Sequence, residues 1–134
     1  MLVRKRLLSP RQVRRVPPQF SWVDHRLIRD DRLQGCGTDA WALYLFLVTV
    51  GDAHGLSYYA DRTLQERIGL SETQLRIARA QLLRAGLIAY EAPLCQVLAL
   101  DPPAPPPVMG QAAGAPAGEA VAIGDILRAW IGGA

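Results

Sequence analysis

Six of the first fifteen residues are cationic, namely Arg4, Lys5, Arg6, Arg11, Arg14 and Arg15, and no carboxylate lies among them. The chemistry open to such a cluster is neutralisation of a polyanion, a phosphate backbone above all, with release of its counterions. A solvated N-terminal arm without a ligand accommodates the same charges equally well. A second set of arginines, Arg62, Arg67, Arg76 and Arg84, is spread over a helix-forming stretch. A guanidinium fork suits phosphate oxygens and base edges alike.

Other chemistries find little support. His25 follows Asp24 and His54 ends the expected central helix, but neither accompanies a serine or cysteine nucleophile motif. His25, Cys36, His54 and Cys95 contain no pair at chelating spacing, so no metal is expected. The glycines match neither phosphate-loop nor dinucleotide fingerprints, and no cofactor is expected. The chain reads as non-enzymatic.

The 134 residues carry a net charge of +3, distributed unevenly. Residues 1–15 sum to +6, residues 16–100 to −1 and residues 101–134 to −2. Positive charge therefore resides in an arm attached to a near-neutral domain. No run of ~18 apolar residues is present, so no membrane span is expected. The start, Met1 to Arg6, does not develop into a secretory signal. Two cysteines fit free thiols in a reducing cytoplasm. Fourteen of the fifteen basic residues are arginine, a usage that, with abundant Ala, Gly and Pro, points to a GC-rich bacterial genome.

These charges need elements to position them. Pro17-Pro18 closes a basic arm, residues 1–19, and a domain follows over residues 20–100. Phe20 to Asp24 alternates apolar and polar, and His25 to Leu33 is a short helix candidate with Leu27, Ile28 and Leu33 inward. Thr38 caps a helix that is apolar nearly all round, through Trp41, Tyr44 and Phe46, which should make it the central core helix. Gly51 to Gly55 ends it, with Gly55 a candidate C-terminal stop. Phe20, Trp22, Trp41, Tyr44 and Phe46 are most simply core. Leu56 to Tyr59 is a strand candidate. Asp61 caps a helix over Thr63 to Ile68, Gly69-Leu70 makes a turn, and Ser71 caps a helix from Glu72 to Ala85 that Gly86 ends. Leu87 to Tyr90 and Gln96 to Leu100 read as strands about a five-residue loop. Residues 101–120 are a Pro/Ala/Gly-rich linker. Residues 121–134 place Ile123, Ile126, Leu127, Trp130 and Ile131 at helical spacing. That amphipathic segment can bind a protein partner through Ile126, Leu127 and Trp130, pack in a homodimer, or fold back on its own domain.

The succession of helices, a turn and closing strands resembles a winged-helix domain, a mainly α fold with a small antiparallel sheet. Leu64, Ile68, Gly69, Leu70, Leu75, Ala78 and Leu82 resemble the helix-turn-helix pattern, and Gly86-Leu87-Ile88 resembles its passage into the wing. Residues 20–100 are similar to winged-helix domains of bacterial and plasmid replication initiators and primosome-loading proteins. The resemblance implies double-stranded DNA as partner, with a role in transcription regulation or as an accessory to replication or transposition. It would place the protein in the cytoplasm, at the nucleoid when bound. Thr73, Gln74, Arg76 and Ile77 would then read bases, and Arg62, Arg67, Arg84 and the arm would grip phosphates. Three features depart from the pattern. Gln65 stands where a small residue is usual. Arg79 stands where leucine is usual, so it should be partly buried beside an acid such as Asp61 or Glu66. The wing loop carries no Lys or Arg. An adaptor that binds protein without reading DNA is the alternative, favoured by outward Ile77 and Leu83.

Overall fold

The structure, a computed structural model, describes residues 2–102. The linker past Pro102 and the segment 121–134, with Ile126, Leu127 and Trp130, lie outside the described residues. Four α-helices and three strands follow a 3-10 turn at Pro10–Gln12: α1 (Arg26–Arg29), α2 (Thr38–Val50), β1 (Leu56–Tyr58), α3 (Asp61–Ile68), α4 (Glu72–Arg84), β2 (Ile88–Glu91) and β3 (Leu94–Val97). The strands form one antiparallel sheet in the order β1-β3-β2, giving a mixed α+β fold. Among the described residues no helix is long and apolar enough to cross a membrane.

Local chemistry explains most boundaries. Ser71 opens α4 with a reciprocal capping box: its hydroxyl accepts from the Gln74 N–H at 3.1 Å, and its own N–H donates to the Gln74 carboxamide oxygen at 2.8 Å. α2 begins one residue earlier than a Thr38 cap requires. Gly37 is the N-cap, and its N–H donates to the Gln81 side chain at 2.9 Å, so a residue of α4 satisfies the end of α2. α3 likewise absorbs Asp61 as its first residue, after Ala60. α2 stops at Gly51, the first residue of the stretch expected to end it, and not at Gly55. Gly55 has a different duty: at φ +80° it approaches β3 so closely that a Cβ would lie 2.6 Å from the Val97 carbonyl oxygen.

The hairpin is tighter than its sequence indicates. Glu91 pairs with Leu94 and Tyr90 with Cys95, leaving a two-residue turn at Ala92–Pro93, whose peptide bond is cis. Pro93 has no N–H for a ladder and takes the turn position, so both strands run further toward it than a five-residue loop would allow.

Ala40, Leu43, Tyr44 and Leu47 of α2 join Leu75, Ala78 and Leu82 of α4 in the core, which Leu27, Leu33, Leu64, Leu87, Ile88, Cys95 and Leu100 complete. The expectation of α2 as a helix buried all round is not met. Ala40, Leu43, Tyr44 and Leu47 are buried, whereas Trp41 and Leu45 on the opposite side are exposed. Phe20 and Trp22, expected in the core, are also more than half exposed, and Ile28 points outward. The reason is geometric: α4 and a three-stranded sheet cover one side of α2, and the described chain has no further layer for the other.

Candidate nucleic-acid interface

α3 and α4 meet through a turn in which Gly69 adopts φ +87°, a left-handed conformation that costs a glycine little. Leu64 on α3 is buried, with Ile68 and Leu70 half-buried beside the turn. Leu75, Ala78 and Leu82 bury one side of α4. Its periodicity then leaves Thr73, Arg76, Ile77, Ala80 and Arg84 facing solvent, and all five are exposed. Arg76, Arg84 and, on α3, Arg67 have no ion-pair partner among the described residues, while exposed Arg62 pairs with Glu66 at 3.2 Å. Gln74 stands on this helix but is engaged: its carboxamide oxygen serves the capping box, so adenine recognition through that group would compete with the cap.

Arg79 lies inward, as expected of an arginine at an apolar position. Its side chain is 12% exposed, its guanidinium donates to Asp61 at 2.6 Å, and its Cζ stands 4.1 Å from the Tyr90 ring centroid. The ring stack ties α4 to β2 and is not evident from sequence, because Tyr90 comes beside Arg79 only once the chain reverses at Gly86. This guanidinium is held within the fold and is not offered to a phosphate.

All six arm cations are exposed and without ion-pair partners among the described residues. The β2–β3 hairpin, by contrast, has Glu91 as its one charged residue, with exposed Leu94 registered against exposed Tyr58 on β1. Among the described residues, exposed positive charge therefore lies on the arm and the helices rather than on the hairpin.

A second polar cluster joins the two ends of the domain. Arg26 donates to both oxygens of Asp24, at 2.7 Å to one of them, and to Asp101 at 2.7 Å. The Arg26 guanidinium and backbone N–H hold the Asp24 carboxyl well below its ordinary 3.8, at about 2, and Asp101 is lowered by the same guanidinium. No local pattern announces the Arg26–Asp101 bond, since 75 residues separate the partners. Cys36 and Cys95 are free thiols that burial pushes up in pKa, away from thiolate character. No group of three metal-ligating side chains occurs among the described residues.

Comparison with protein-family models, with curated proteins and with solved structures finds no match to this chain.

Proposed function

We propose that this protein is a winged helix-turn-helix module that binds double-stranded DNA, as a transcription regulator or an accessory to replication or transposition in a bacterial cytoplasm. The observation that carries the reading is the outward face of α4, where Thr73, Arg76, Ile77 and Arg84 are exposed beyond a glycine turn and a buried inner face. In this reading α4 enters the major groove. Arg76 pairs with a guanine edge, and Thr73 and Ile77 contact neighbouring bases. Arg67 and Arg84 meet phosphates, as does Arg62 once released from Glu66, and the arm adds sequence-independent affinity. Gln74 contributes by holding the start of α4.

The test is fluorescence anisotropy of random-sequence duplex DNA with the full chain across a salt series. A second chain has Arg4, Lys5, Arg6, Arg11, Arg14 and Arg15 replaced by glutamine. If all six make phosphate contacts, they contribute a log–log salt slope of about −5, which the substituted chain loses. Absence of binding by the natural chain at low salt overturns the reading. Exposed Ile77 and Leu83 with an acidic hairpin would then favour the second reading, an adaptor that docks a protein through α4.

A further inference from the structure

α2 presents a solvent face unusual for a helix of a small domain. Trp41 and Leu45, with Ala42 beside them, form an uncharged stripe along it, 42% exposed at Trp41 and 60% at Leu45. Thr49 continues the stripe, and its hydroxyl donates back to the Leu45 carbonyl at 2.7 Å, so it offers no free donor to water. The segment Phe20 to Val23 adds three exposed apolar side chains, Phe20, Trp22 and Val23. It is tied to the last turn of the same helix, where the Ser21 hydroxyl donates to the Thr49 carbonyl at 3.2 Å. Helices apolar all round belong in interiors, and large apolar side chains exposed on one helix face and on a segment tied to that helix mark a docking surface.

The path of the chain indicates what covers it. Leu100 is buried, and Asp101 is pinned to Arg26, which clamps Asp24 two residues beyond Trp22. The tail thus leaves the domain beside the apolar patch. Ahead of it lie the Pro/Ala/Gly-rich stretch to residue 120 and then Ile123, Ile126, Leu127, Trp130 and Ile131, spaced i, i+3, i+4, i+7 and i+8. Twenty residues span roughly 25 Å even as a Gly-rich coil, and prolines lengthen that reach. α2, with 13 residues, is about 20 Å long. Every part of the patch is therefore within range of the tail. Tethering also sets an effective concentration in the millimolar range, well above that of a second copy in dilute solution. Short segments gain stable helix chiefly against a surface that buries their apolar side.

We infer that residues 121–134 dock in cis on the outer face of α2 and the Phe20–Val23 segment, with Ile126, Leu127 and Trp130 against Trp41, Leu45 and Trp22. The tail is then a second layer of the domain, on the side of α2 away from α4, and the docking is independent of any role in DNA binding.

Amide hydrogen exchange on the full chain at micromolar concentration tests this, with mass measured by light scattering. Amides of residues 123–131 should exchange about tenfold or more slowly than unprotected chain, in a monomer. Leu45→Glu should abolish that protection while the amides of β2 and β3 stay protected, and Leu83→Glu on α4 should leave it intact. Ile126→Asp, placed in the tail itself, should release the tail without touching the domain core. Unprotected tail amides in the natural chain would overturn the proposal. So would protection indifferent to Leu45→Glu, and protection that grows with concentration alongside a dimer mass would assign the patch to a second copy instead.

Discussion

α2 and α4 are helices of equal length that contribute buried side chains to one core, yet their outer faces could hardly differ more. α4 shows solvent two arginines without ion-pair partners among the described residues, with Thr73 and Ile77 beside them; α2 shows Trp41, Ala42 and Leu45 without a charge. The inner faces are interchangeable in kind, Leu43 and Leu47 against Leu75 and Leu82. Packing alone thus says nothing about what either helix is free to bind. The outer chemistry differs: one face carries cations, the other apolar side chains.

The largest effects should come from the shared interface. Leu43→Ala and Leu82→Ala, each at a residue no more than 1% exposed, should both lower stability by about 2–5 kcal/mol in urea unfolding. A small loss at one and a large loss at the other would break the equivalence of the inner faces. The outer faces should separate next, in DNA binding. On a duplex selected for tight binding, Arg76→Ala should weaken affinity by ~1–3 kcal/mol while leaving random duplex nearly unchanged. Leu45→Glu should alter neither, as read by anisotropy, and a parallel loss on both duplexes would remove Arg76 from base reading. Ser71→Ala should then cost about 1 kcal/mol by removing the capping hydroxyl, with Ser71→Asn recovering most of it in thermal unfolding.

The smallest effect is acid-side. Because Asp24 is lowered to about 2 from 3.8 when folded, its contribution is present above pH 3.8 and is lost as pH falls toward 2. Asp101, lowered by the same arginine, acts in the same direction. Asp24→Asn should flatten that part of the stability–pH curve, measured by thermal unfolding from pH 2 to 6. An unchanged acid limb would show that the clamp between the two ends of the domain contributes nothing.

Much of α4 is legible in its residues alone. Its cap, its glycine stop and its inward Leu75, Ala78 and Leu82 depend on neighbours within a turn, whereas the acid pairing of Arg79 follows from the resemblance, in which leucine is usual there, and only the fold chooses Asp61 over Glu66. The hairpin is legible only as a pair of strands, because its register follows from which residues close the turn at Pro93. The exposure of Thr73, Arg76, Ile77 and Arg84 follows from the periodicity of α4, whereas the carboxamide of Gln74 is taken up by the cap at Ser71, a contact that periodicity does not show.

Charge content and contacts between near neighbours suffice for a basic arm, for helices capped at Ser71 and turned at Gly69, and for an α4 with one apolar and one cationic side. Which side of α2 is buried comes from packing. A helix apolar in every direction carries no periodic signal to orient it, so its inner face is chosen by where α4 and the sheet lie. The same holds for the Arg26–Asp101 clamp and the Gln81 cap on Gly37, whose partners are brought together by the fold rather than by spacing along the chain.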